Sequence, residues 1–105
     1  MLQRFECILP RTREEMAPHL GPDATKVVLE DECEGVSWFD PADVRYVFDW
    51  FPDDEAEVPR FGCCDVQMND GNSQFIVKLP TDKMAAIVNA AKAEAQAKAV
   101  LYRAQ

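Results

Sequence analysis

Histidine occurs once in these 105 residues, at His19, and glycine only four times. Any acid–base or Cys–His scheme must therefore use His19, and the glycines form no phosphate-cradling motif. No apolar run approaches the length of a membrane helix, and the start, "MLQRFECILPRTREE", is broken by charge every few residues, unlike a signal segment. Cys7, Cys33, Cys63 and Cys64 contain no CxxC pair. Adjacent residues on a strand point to opposite faces, so Cys63 and Cys64 cannot jointly grip a zinc ion. Reduced thiols in a cytoplasmic protein, with no metal and no cofactor, are the expectation.

Basic excess is missing too. The net charge is −8, and residues 27–59 hold eleven of the 19 acids but only one base, Arg45, for a net of −10. The remaining residues net +2. A chain with its negative excess gathered in one third is poorly suited to direct nucleic-acid binding, which requires a basic surface against phosphates.

With 48% hydrophobic and 10% aromatic residues, the composition is that of a folded chain, and the length fits one domain. "LQRFECIL" alternates Phe5, Cys7 and Leu9 against Arg4 and Glu6, which predicts a half-buried strand ended by Pro10. Thr12 and Glu15 have capping-box spacing and predict a short helix, limited by Pro18 and stopped at Gly21. "TKVVLE" at 25–30 reads as a strand, "DECEG" at 31–35 as a polar turn, and "VSWF" at 36–39 as a short extended piece. Asp40 and Pro41 open a helical turn at 40–43.

Residues 44–51 fit two periods. Val44, Tyr46, Phe48 and Trp50 alternate, while Val44, Val47, Phe48 and Phe51 fit a helical stripe; β-branched and aromatic enrichment favours the strand. In "CCDVQMNDGNSQFIVKLP", Asp70-Gly71 sits between two alternating runs and predicts a β-hairpin. From 82 to about 103, Met84, Ile87, Val88, Ala91, Ala95 and Tyr102 form a helical apolar stripe after Thr81 as N-cap. The expected fold is α+β: one domain with an antiparallel sheet of about four or five strands and a long C-terminal helix on one face.

"FDPADVRYV" followed by "VQMNDGNSQFIVKLPTDKMAAIV" is similar in order to the short bacterial FlbD-like flagellar regulator domains, where a turn and strand precede a hairpin and a helix. The likeness covers about half the chain. It departs at the acidic insertion 52–59, the extra N-terminal strand and the longer final helix, and no functional residue is carried over.

Six of the ten aromatics, from Trp38 to Phe51, lie within the acidic third. If Phe48 and Trp50 face the core, Asp49 and Phe51 point the other way, beside the carboxylates of 52–59. An exposed aromatic rimmed by acids is a protein-binding anchor. The candidate surface is Asp49, Phe51, Asp53, Asp54, Glu55 and Glu57, extended by Glu30, Asp31, Glu32 and Glu34. The leading expectation is a small non-catalytic protein that binds a basic protein partner. One form is an inhibitor placing carboxylates where a nucleic-acid-binding protein expects phosphates. The alternative is a structural or homodimeric subunit that self-associates through its C-terminal helix or an edge strand. A small cysteine enzyme using Cys63 or Cys64 with His19 is third. Paired carboxylates are better read as helix-start residues and a solvated run, and neither acidic segment has calcium-loop spacing.

Overall fold

The computed structural model describes residues 1–53 and 56–104, the last three by backbone alone. The elements run β1 (Gln3–Met16), a 3-10 turn (Pro18–Leu20), β2 (Thr25–Phe39), a second 3-10 turn (Pro41–Asp43), β3 (Val44–Asp49), β4 (Cys64–Met68), β5 (Gln74–Val77) and α1 (Thr81–Ala104). The strands form one antiparallel sheet in the order β2-β1-β5-β4-β3, giving the expected α+β fold.

Only residues 40–43 join β2, at one edge of the sheet, to β3, at the other. Five Cα steps reach at most about 18 Å. Four strand spacings in a flat sheet already need about 19 Å. The sheet must therefore coil, and the Phe39 ring stacks on Phe5 at 4.5 Å and on Phe75 at 4.8 Å between centroids. Asp40 caps the connecting turn by accepting from the Ala42 N–H at 2.9 Å, and Pro41 takes its first position, as the sequence implied. The N-terminal ammonium also donates to Asp40, at 2.7 Å. Both contacts hold the Asp40 carboxyl below its ordinary pKa.

One core lies between the concave sheet face and α1, where Phe5, Cys7, Val44, Cys64, Val66 and Val77 meet Met84 and Val88. A smaller cluster of Ile8, Trp50, Cys63 and Ile76 lies apart from it. The β4–β5 hairpin forms as expected. Gly71 supplies a φ of +77°, and the Asp70 carboxylate accepts from the Asn72 and Ser73 N–H groups and the Ser73 hydroxyl.

Local expectations are corrected at four places in the fold. Pro10 does not end β1; it ends the pairing of β1 with β5. The Lys78 N–H donates to the Glu6 carbonyl, and the register continues Cys7↔Val77 and Ile8↔Ile76. Even-numbered residues of β1 thus direct their backbone groups toward β5, and Pro10 is the first with no N–H to give. The bonds toward β2 come from the odd-numbered neighbours Leu9 and Arg11, so the β1–β2 ladder is unaffected and continues to Met16↔Thr25 as a two-stranded ribbon. The Thr12–Glu15 helix and the 31–35 turn are absent because both segments belong to the β1–β2 ladder, residues 12–15 opposite 26–29 and residues 31–35 opposite 7–11. Gly35 has no turn conformation. A Cβ there would lie 3.1 Å from the Leu9 side chain, so its role is close packing.

The third correction concerns Phe48. A bulge between Val44 and Tyr46 lets Val47 take the inward place opposite Val66, turning Tyr46 and Phe48 outward, and Phe48 is 45% exposed. Trp50 is buried, but in the smaller cluster. Fourth, the helix stripe is used only over its first half. Met84, Ile87, Val88 and Ala91 are at least partly covered, while Ala95 and every other residue from 92 to 101 is exposed. The Tyr102 side chain lies outside the described residues. Ribbon and overhanging helix stretch the molecule to 63 × 26 × 20 Å with a radius of gyration of 17.3 Å. A compact chain of this length has about 13 Å. Among the described residues, no helix is long and apolar enough to cross a membrane.

Candidate functional site

The segment after β3 leaves the sheet edge and turns back over the face away from α1. Trp50 anchors it against Ile8 and Ile76, from β1 and β5. The Arg60 N–H donates to the Trp50 carbonyl at 2.9 Å, which draws the two limbs of the loop together. The Arg60 guanidinium sits 5.6 Å from the Trp50 ring centroid and donates to Glu32 on β2. The loop therefore reaches the opposite edge strand through Arg60, which follows the acidic run 52–59 and pairs with Glu32.

The predicted surface residues divide into those spent on internal contacts and those presented outward. Glu32 is bonded to Arg60. Glu34 accepts from the Lys78 ammonium at 2.7 Å, and that hydrogen bond and charge hold its carboxyl below the ordinary range while raising the lysine. Asp49 accepts from the Thr81 hydroxyl, tying the end of β3 to the helix start. Asp31 accepts from the Glu32 N–H at 2.7 Å, and Glu30 is the extra residue where the register shifts from Arg11↔Asp31 to Thr12↔Leu29. Glu30, Asp31 and Glu57 are exposed, and Asp53 is half-buried. Asp54 and Glu55 lie outside the described residues. Phe51 is 49% exposed, beside the half-buried Pro52 and Asp53.

Sequence reasoning missed Arg60 and Phe61. Phe61 is 88% exposed, between Arg60 and Gly62, whose φ of +81° marks a turn. Its signal was available: an aromatic between "PR" and "G", outside any alternating run, has no strand to bury it. Tyr46 and Phe48, rings 5.4 Å apart, and Trp38 on β2 add further exposed aromatic surface. Arg45 lies 5.2 Å from the Tyr46 ring centroid. A cleft of about 280 Å³ separates the loop from the helix start, lined by Asp49, Pro59, Arg60, Phe61, Gly62, Cys63, Pro80, Thr81 and Asp82.

The cysteines are not arranged with the histidine. All four are free, and Cys7, Cys63 and Cys64 are buried. Burial pushes the Cys63 thiol up and the Cys64 thiol up to about 12, so both are protonated at neutral pH. His19 sits in the 3-10 turn at the ribbon tip, whereas both thiols belong to the packed body. Among the described residues, no group of three or more His, Cys, Asp or Glu side chains is placed to hold a metal ion.

These features define a small α+β protein with a coiled antiparallel sheet, one covering helix, and an acidic, aromatic loop laid across the other face. No family model, curated protein or solved structure matches the chain, so its likeness to the FlbD-like domains remains one of element order.

Proposed function

We propose that this is a small non-catalytic cytoplasmic protein that binds a basic protein partner through the loop 49–57, without direct contact to nucleic acid or membrane. The observation that carries the reading is Phe51. It follows a buried tryptophan, stands half-exposed at the start of the acidic run, and is available as an anchor. Phe61 is a second exposed ring in the same connection, and Glu57, Glu30 and Asp31 supply outward charge. Glu32 and Glu34 contribute less to the field than their position suggests, because Arg60 and Lys78 offset them. One-sign charge speeds encounter with a basic surface, while the aromatic anchors provide most of the lasting affinity. A nucleic-acid-binding protein is one such partner, its phosphate-binding groove occupied by these carboxylates.

The test is capture of partners from the source cells with salt elution, followed by association kinetics with the captured basic protein. Replacing Asp53, Asp54, Glu55 and Glu57 together by their amides should slow association about tenfold or more at low salt and flatten its salt dependence. Equal rates for variant and parent would overturn the reading. Competition by duplex DNA for the same partner separates the groove-occupying form from other basic partners.

A further inference from the structure

We propose that two copies of this chain pair through the outward edge of β1, residues 10–16, joining their ribbons into a four-stranded antiparallel sheet. This does not depend on the acidic-loop reading. Beyond Ile8 the ribbon has only two strands, and such a ribbon is marginal in water unless a third strand or a packed face supports it. The extra residue at the register shift is Glu30, on β2, so the alternation of β1 is unbroken and Thr12, Glu14 and Met16 direct N–H and C=O groups away from β2. The other long edge, β2, is unsuited to self-pairing because Glu30, Asp31, Glu32 and Glu34 crowd it with like charge.

Two-fold symmetry restricts the register. An antiparallel pair about an axis normal to the sheet keeps each side chain on its own face, so odd residues oppose odd ones and even oppose even ones. With Arg13 on the axis, Arg11 faces Glu15 of the second copy twice over, Thr12 faces Glu14, and Pro10 faces Met16. Moving the axis to Thr12 opposes Arg11 to Arg13; moving it to Glu14 opposes that carboxylate to itself. Arg13 is tolerated on the axis because it is already bonded to Glu15 of its own chain. Pro10 then acts only as an acceptor, from the N–H of Met16, a role that needs no donor.

The same register fills a cleft. Where β1 parts from β5, an apolar notch of about 220 Å³ opens, lined by Ile8, Leu9, Pro10, Trp50, Phe75 and Ile76 among others. Met16 and Leu20 are 63% and 66% exposed at the ribbon tip. Setting Met16 of the second copy opposite Pro10 brings that apolar tip to the notch.

Sedimentation equilibrium of the full chain from about 1 to 100 μM should show a dimer, and a monomeric mass throughout would overturn the proposal. Glu14→Pro removes an outward N–H, leaves the ladder to β2 intact, and repeats what Pro10 already does in this strand. It should weaken the dimer about 10- to 100-fold with an unchanged circular dichroism spectrum. An undiminished dimer would place the interface elsewhere, such as the overhanging helix, and refute this one. Independently, Arg11→Glu and Glu15→Arg should each weaken association and the double variant should recover it. Failure to recover, with both singles weakened and folded, would also refute the register.

Discussion

Trp50 and Phe51 are neighbours in sequence with opposite tasks, and alanine at each should separate them. Trp50 is 6% exposed, packed on Ile8, Cys63 and Ile76 under the Arg60 guanidinium. Truncating a buried tryptophan costs about 3–5 kcal/mol. The cluster has only four members, so collapse around the gap is easier and about 3 kcal/mol is expected. Against a total stability of about 5–15 kcal/mol, that is a large fraction, and it corresponds to a fall of about 12–24 °C in Tm. Phe51→Ala removes a ring already half in water and should cost about 0.5–1 kcal/mol. Far-UV circular dichroism under heat and urea is the assay, since it does not rely on the tryptophan being removed. If Trp50→Ala loses less than about 1 kcal/mol, or if Phe51→Ala loses as much as Trp50→Ala, the placement of these rings is wrong.

The remaining predictions are more local. Alkylation at neutral pH should modify one thiol per native chain, Cys33, because the other three are buried, and all four after denaturation, as counted by intact mass. Asp65 has its carboxyl pushed up by burial against the opposing hydrogen bond from Gln74. The unfolded carboxyl therefore ionises first, and stability is lost as pH rises through the folded pKa. The Tm gain of Asp65→Asn over the parent should accordingly be larger at pH 7 than near the ordinary carboxylate pKa of 3.8. Ending the chain after Lys92 should remove about half of the helical signal yet lower stability by less than about 1 kcal/mol, because the residues that follow, as far as 101, are exposed.

The parts legible in the sequence were those whose local signals agreed with their tertiary setting. The 64–77 hairpin had alternation on both limbs and Asp70-Gly71 between them, and Pro41 stood where a helical turn accepts it. Thr12 and Glu15 had capping spacing but no apolar stripe behind them, and a long partner strand, itself unexpected, outcompeted the local motif. Gly35 resembled a turn residue because its reason for being glycine, the overlying Leu9 side chain, is invisible without the fold. Phe48 was misplaced by a single bulge, since one extra residue reverses the face of everything after it. For the site, Glu57 was readable as part of a solvated run, whereas the exposure of Phe51 stayed open in the sequence because it hung on the face taken by Phe48; the diversion of Glu32 and Glu34 to Arg60 and Lys78 depends on contacts 28 and 44 residues away.

The central claim is that steering and anchoring reside on different residues of one loop. Its most direct measurement is the association and dissociation rates of the captured basic partner against the parent, the four-amide variant of 53–57 and Phe51→Ala, each across a series of salt concentrations. The account predicts that the amide variant slows association and loses its salt dependence with little change in dissociation. Phe51→Ala should instead speed dissociation about tenfold or more while leaving salt-dependent association intact. Identical rates for all three proteins, or a Phe51→Ala variant that dissociates like the parent, would contradict it.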